Sequence, residues 1–263
     1  MSRTDLLDRT IGALAARARW FLLAEEVPDR DGFLQAVRPG VKLLGVLVLV
    51  AATVTQRDLP TVTAMLALAV TIALASRVPV RTLAGRLTGP PAFAFVVVAP
   101  QALLMGGPTL SGLPLSVAGV GYVVTFTVRV AACVGFLSVL LLTTRFVDLL
   151  DALRRLRAPT IAVSLLSITY RYLLLFFAEL ERMVRARRSR TVTDPDLRRT
   201  WRDSGNFLGT FFVRSLERGE RVQRSARARG GTGSTPVRTG ESLGWADAAF
   251  ALVVLAGVGV VLL

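Results

Sequence analysis

From Leu87 to Val128 the chain carries no charged side chain at all. Apolar helical surface of that extent has to be buried somewhere, and hydrocarbon is the solvent that accepts it. Pro90, Pro91, Pro100, Pro108 and Pro114, with Gly106, Gly107 and Gly112, break the run into two helices joined by an uncharged turn around Gly106 to Pro114. The spans expected there are Gly89 to Met105 and Leu115 to Thr143. Two shorter apolar segments precede them, Pro39 to Gln56 and Leu59 to Ser76, and the few residues between these make them antiparallel neighbours. Trp245 to Leu263 ends the sequence as a fifth span. A composition of 52% apolar residues and a mean hydropathy of +0.55 are too high for an ordinary soluble core. The expected fold class is therefore an all-α integral membrane protein with about five transmembrane helices.

The formal charge of +14 comes almost wholly from arginine, and its distribution sets an orientation. Residues 5–26 place Leu6, Ile11, Leu14, Ala18, Phe21 and Leu22 at helical spacing with Arg9, Arg17 and Arg19 between them, as an interfacial helix would. This segment lacks the short apolar core of a cleaved signal. The Arg77 to Arg86 loop is also basic, whereas the Arg57-Asp58 turn and the Gly106 to Pro114 loop are nearly neutral. Between Arg145 and Gly240, 20 arginines stand against 9 acidic residues, so this stretch carries +11 of the +14. The alternation predicts a cytoplasmic N-terminus, a C-terminus outside and a multi-pass protein of the cytoplasmic (inner) membrane.

Three helices fit the basic stretch: Arg145 to Arg157, Thr160 to about Arg190, and Asp196 to about Arg229, ended by Ala158-Pro159, Asp194-Pro195 and Gly230-Gly231 respectively. Ile161 to Leu180 is long enough to span, with Arg171 its only charge before Glu179. Spanning would export the Arg182 to Arg238 arginines, so the expectation is a helix buried in protein or at the interface, with Ser164, Ser167 and Arg171 on one stripe. The organisation expected is an amphipathic segment over 1–38, a four-helix membrane region over 39–143, a cytoplasmic helical domain over 144–240 and a terminal span over 241–263.

The chemistry available is thin. There is no histidine and a single Cys133, which excludes histidine-based triads and zinc sites, redox cysteine pairs and intrachain disulfides. No G-x-x-x-x-G-K-[ST] motif is present for ATP hydrolysis. Asp148 and Asp151, beside Arg154 and Arg155, predict i to i+4 ion pairs rather than a carboxylate dyad. No soluble domain is available to carry a nucleic-acid site. An intramembrane protease lacks its residues here, and a channel or scaffold would line several spans with polar side chains where these are Ala, Val and Leu. The chain is expected to be non-catalytic, with no cofactor and no metal ligands of its own.

Both long basic helices end in clusters, Arg185 to Thr191 and Arg224 to Gly230. One reading is topology-setting charge favoured by the helix dipole. The other is a pair of docking points for partners with acidic grooves, because guanidinium makes bidentate hydrogen bonds that ammonium cannot. The segment contains no lysine, which favours docking, although Lys42 is the only lysine anywhere.

Four stretches carry a resemblance. They are Leu34-Gln35-Ala36-Val37-Arg38-Pro39-Gly40-Val41-Lys42-Leu43-Leu44; Leu142 to Leu153 with Arg145, Asp148 and Asp151; Tyr170-Arg171-Tyr172 with Glu179 and Arg182-Met183; and Ala228-Arg229-Gly230. In this order they resemble the transmembrane T component of energy-coupling factor (ECF) transporters, in the cobalt/nickel-type CbiQ branch, over about residues 30 to 263. The resemblance implies crossed cytoplasmic coupling helices whose two X-Arg-X motifs dock on a pair of ABC ATPase subunits. It also implies a separate membrane-embedded substrate-binding S component. Carried over, the second motif is Ala228-Arg229-Gly230. The first is Ser189-Arg190-Thr191, which departs from Ala-Arg-Gly at both flanks and leaves Arg187 and Arg188 as alternatives. The implied function is a coupling subunit for cobalt or nickel uptake, with a vitamin substrate or a non-transport scaffold as alternatives. Arg129 within the fourth span, and Arg171, are candidate partner-subunit contacts; for Arg129 the alternative is outward snorkelling or bonding to neighbouring carbonyls. Gly119, Gly121, Gly257 and Gly259 mark either close helix packing or the ordinary glycine content of membrane helices.

Overall fold

The computed structural model describes residues 32–106, 116–190, 197–230 and 244–262, except the side chains of residues 187, 188, 190, 197, 199–201 and 262. The helix expected over 5–26, the Gly107 to Pro114 part of the uncharged turn, Thr191 and the Asp194-Pro195 pair lie outside the described residues. Among the described residues the helices are α1 Pro39–Thr55, α2 Leu59–Ala75, α3 Val80–Val98, α4 Gln101–Leu104, α5 Val117–Thr143, α6 Phe146–Arg155, α7 Thr160–Arg190, α8 Leu197–Ala228 and α9 Trp245–Leu262, with a 3-10 turn at Leu34–Ala36. The chain is an all-α membrane protein. Three helical stretches are apolar and long enough to cross a bilayer, Val80–Leu104, Val117–Thr143 and Thr160–Ala186; Pro39–Thr55, Leu59–Ala75 and Trp245–Val261 are apolar but shorter. The described helices divide into two compact units, one holding α1 to α6 and α9, the other α7 and α8.

In the first unit α5 is the central helix, packed on α1, α2, α3 and α4. Ala132, Phe136, Val139 and Leu140 on α5 meet Met65, Ala69 and Ile72 on α2, Leu83 on α3, and Val46 and Leu49 on α1. Small residues permit the approach. A Cβ on Gly135 would lie 3.2 Å from the Ala69 Cβ, and one on Gly119 would lie 2.7 Å from the Gln101 carbonyl oxygen. Pro39 and Pro60 fall in the first turns of α1 and α2, where the missing N–H costs no helical bond.

The last helix returns to the first. α9 packs along α1, with Phe250 against Gly45 and Gly257 against Leu49 and Leu68, so close that a Cβ on either glycine would sit 2.5 to 2.7 Å from a side-chain carbon. Both ends of this contact are pinned by polar groups. At the start, Asp247, only 4% exposed, accepts a hydrogen bond from the Arg38 backbone N–H (2.9 Å) and pairs with the Arg38 Nε at 3.4 Å. Its second oxygen also accepts from the Gly244 N–H at 3.0 Å. At the far end, the Gln56 Nε2 donates to the Val261 carbonyl at 3.1 Å. α1 and α9 therefore run parallel, as two helices starting on the same side of a membrane must. One turn into α1, the buried Lys42 ammonium donates to the Thr143 carbonyl (3.2 Å) and to Thr144 Oγ1 (3.3 Å), closing the C-terminus of α5 with a cation.

Some details differ from expectation. α3 begins at Val80, not Gly89, so Arg81 and Arg86 lie on its first turns and the connection from α2 is only Ser76 to Pro79. Pro90 and Pro91 sit inside this helix: their fixed φ suits it, and the carbonyls they orphan belong to Arg86 and Leu87, on the helix's arginine-bearing first half. The break falls at Ala99-Pro100 instead, where α4 adds a single turn. Gly119 and Gly257 make close contacts, whereas Gly121 and Gly259 have nothing within 4 Å of a built Cβ. On α6 Asp151 pairs with Arg154 at i,i+3 and 3.6 Å. α2 ends with Arg77 in the left-handed region (φ 52°), its N–H on Leu74 O and the Val78 N–H on Ala73 O, a Schellman closure that glycine usually supplies.

In the second unit, α7 and α8 meet where the Phe176 and Phe211 rings lie edge to face, 6.0 Å between centroids, and Arg214 pairs with Glu179 at 3.4 Å. Glu179 also pairs with Arg182 one turn on. The apolar stretch of α7 is mostly uncovered, with Ile161 77%, Leu165 60% and Ile168 54% exposed. Of the two readings for that stretch, burial within the described part of this chain falls away, and a lipid interface or another protein is left.

Gly257→Val forces a branched side chain onto Leu49 and Leu68, so it lowers stability by about 1–3 kcal/mol, while Gly259→Val is near neutral. Thermal unfolding of both variants in one detergent separates them; equal midpoints would contradict the packing. Asp247→Ala strands the Arg38 guanidinium and costs about 3 kcal/mol, more than replacing Arg38 and Asp247 together by leucine. The same unfolding measurement ranks the two.

Candidate functional site

The end of α8 shows why three particular residues follow one another there. Ala228 is the last helical residue, the Arg229 N–H reaches back to the Ser225 and Ala226 carbonyls (3.3 and 3.2 Å), and the Gly230 N–H reaches Arg227 O at 3.1 Å. Gly230 has φ +81°, a conformation that glycine adopts without penalty and that closes the helix. Arg229 is thus held at the helix tip beside the negative end of the dipole, exposed, with its backbone fixed by the two residues around it. Open space surrounds Gly230, so its conformation, not crowding, demands glycine.

Beside this end, α7 and α8 form an open cleft of about 460 Å³ lined by Arg171, Tyr172, Arg218, Arg221, Ser225 and Arg229, with Val222 and Ala226 completing the α8 wall. Arg171 and Arg229, assigned separate roles from sequence, share this cleft. Arg221 pairs with Glu217 at 3.6 Å, but Arg171, Arg218 and Arg229 make no side-chain ion pair or hydrogen bond among the described residues. A second, adjoining cleft is lined by Phe176, Glu179, Arg214, Ser215, Arg218 and Arg221. The sequence did hold a signal for this wall. Arg214, Arg218, Arg221, Ser225 and Arg229 recur at three- and four-residue spacing and so occupy one stripe of α8.

The first arginine motif is less complete. Ser189 is exposed on the last turn of α7 with its hydroxyl donating to Ala186 O at 3.0 Å, and Arg190 is the final helical residue. The Arg187, Arg188 and Arg190 side chains and Thr191 lie outside the described residues. Arg190 stands 19 residues beyond Arg171 on the same helix, about 28 Å at helical rise. The two motif arginines therefore sit far apart, not in one cluster. Arg129 belongs to α5 in the other unit, half-buried, its Nε without a hydrogen-bond partner among the described residues. Among the described residues no group of three or more His, Cys, Asp or Glu is placed to hold a metal ion.

Comparison with known proteins matches residues 31–239 to the family model CbiQ, cobalt transport protein. An uncharacterized protein of Methanocaldococcus jannaschii is 24% identical over 94% of this chain and 88% of its own length. A second uncharacterized protein of that organism is 32% identical over 30% of each chain. The cobalt transport protein CbiQ of Rhodobacter capsulatus is 29% identical over 62% of this chain and 66% of its own. A match that starts just before α1 and runs through the whole of α8 covers eight of the nine described helices, the arginine-bearing ones included, and on that extent the chain belongs to the CbiQ family of cobalt transport proteins.

Proposed function

We propose that this protein is the transmembrane coupling subunit of an ECF-type ABC importer for cobalt or nickel. It works without catalytic activity of its own: two ABC ATPase subunits dock on the ends of α7 and α8, and a separate membrane-embedded S component carries the substrate. The observation that carries this reading is the end of α8, where an exposed arginine is fixed at a helix tip by a glycine in the left-handed conformation. Such an arginine extends its planar donor fork from a fixed point on the backbone and is suited to bidentate contact with carboxylates or carbonyls in a partner's groove. Ser189-Arg190-Thr191 at the end of α7 is the second docking point. The pair stands on two helices of 31 and 32 residues, so a displacement of either tip is carried along a stiff rod rather than absorbed in a loop.

In this arrangement residues 144–240 face the cytoplasm of a cell whose inner membrane holds the spans, with residues 1–38 on the same side. Arg129 and Arg171 contact a partner subunit. With no histidine in the chain, the imidazole ligands that suit cobalt and nickel come from the S component.

Replacing Arg190 and Arg229 together by glutamate abolishes co-purification of the two ATPase subunits and leaves membrane insertion intact; retention of the ATPases by this double variant would overturn the docking assignment. Gly230→Val puts a β-branched residue at φ +81°, a penalty of about 1–2 kcal/mol. It should weaken ATPase binding about tenfold in a titration while leaving the arginine in place.

A further inference from the structure

Arg171, Arg218, Arg221 and Arg229 line one open cleft between α7 and α8 together with Tyr172 and Ser225. Among the described residues Arg221 pairs with Glu217 on its own helix and the Glu179 carboxylate lies near Arg218, but no acidic side chain lines the cleft itself. Cations gathered this way repel one another unless an anion stands among them. Guanidinium suits phosphate in particular, because its fork matches two phosphate oxygens at once, and hydroxyls on the same wall can donate a further bond.

The surroundings identify where that phosphate comes from. The α7 stretch that carries Arg171 is exposed and apolar on either side of it, with Ile168 54% and Leu175 42% exposed. Arg171 is itself the one charge in a stretch apolar enough to cross a bilayer up to Glu179. A free anion has no use for such walls, and a soluble acidic partner would leave them uncovered. An arginine cluster reached from an exposed aliphatic helix long enough to cross a bilayer has the composition of a membrane-interface element, in which acyl chains lie against the apolar residues and headgroups against the basic ones.

We propose that this cleft binds the phosphate headgroup of an anionic phospholipid, with Arg171 and Arg218 as its principal donors and the neighbouring apolar side chains covered by the lipid's chains. The site shares Arg229 with the docking tip and takes Arg171 for lipid in place of a protein partner, so it does not rest on the ATPase assignment.

The test is native mass spectrometry of the full-length chain released from detergent with equimolar phosphatidylglycerol and phosphatidylcholine. Wild type is expected to retain phosphatidylglycerol about tenfold over phosphatidylcholine, and Arg171→Gln with Arg218→Gln to lose that preference. The same charge removed at the exposed pair Arg198 and Arg202 leaves it in place. Millimolar inorganic phosphate does not displace the lipid. Equal retention of the two lipids by wild type overturns the proposal without recourse to any variant, so a poorly folded variant cannot shelter it. A preference kept by Arg171→Gln/Arg218→Gln overturns it also, and displacement by inorganic phosphate would show a site for free anions instead of lipid. ATPase co-purification with the same variant is read separately, so the failure of either reading is visible alone.

Discussion

The first unit depends on one contact, the return of α9 onto α1. The 89 residues from 156 to 244 separate α6 from α9 in sequence, and a single carboxylate marks where the chain rejoins the bundle. Asp247 holds the start of α1 through Arg38, holds its own helix start through Gly244, and is almost wholly buried. A buried charge is costly unless it is paired and hydrogen-bonded, so this arrangement admits one register of α9 against α1 and penalises others. Phe250 in the space left by Gly45, and Gly257 against Leu49, then extend that register along the helices. Lys42 ties the same end of α1 to the end of α5. The bundle is thus closed on both sides of the inserted helices by polar clamps at one level and by tight glycine contacts within.

The inserted unit is built differently. Among the described residues α7 and α8 are joined by the Phe176–Phe211 ring pair and the Glu179–Arg214 ion pair. Their exposed faces carry ion pairs within a helix, Glu181 with Arg185, Glu217 with Arg221 and Glu220 with Arg224. Each of these contributes about 0.3–0.5 kcal/mol, enough to favour helix but not to specify a tertiary structure. The large apolar area left uncovered points to completion by surroundings, whether lipid or partner chains. A unit that is rigid along each helix and weakly held between them is suited to passing movement from a tip to a neighbour, which is the role proposed for it.

What the sequence made legible follows physical rules that act locally. Charge exclusion from hydrocarbon located the bundle helices to within a residue or two at Pro39, Thr143 and Trp245, and proline and glycine punctuation located the ends of α7 and α8. The start of α3 was misjudged because Pro90 and Pro91 read as a boundary, although a helix that supplies their φ tolerates both. The polar clamps could not be read at all. Nothing local pairs Arg38 with Asp247 or Lys42 with Thr143, since both contacts join residues more than 100 positions apart. At the functional end, Ala228-Arg229-Gly230 was legible because its geometry is local, a helix cap demanding glycine. The shared cleft of Arg171 and Arg229 was not, because it depends on how two helices meet, and only the three- and four-residue spacing along α8 hinted at it.

The central claim is that the end of α8 is the surface on which an ATPase subunit sits. The most direct measurement is proximity crosslinking in the assembled complex. Cys133, the only native cysteine, is replaced by serine and a single cysteine is introduced at Arg227, adjacent to the tip but outside the docking motif. A short thiol-to-amine crosslinker should join this position to an ATPase subunit, while a cysteine at the exposed Leu252 on α9 should give no such product. An Arg227→Cys chain that forms no ATPase adduct in an intact complex, or forms it no more than the Leu252→Cys chain, would contradict the account.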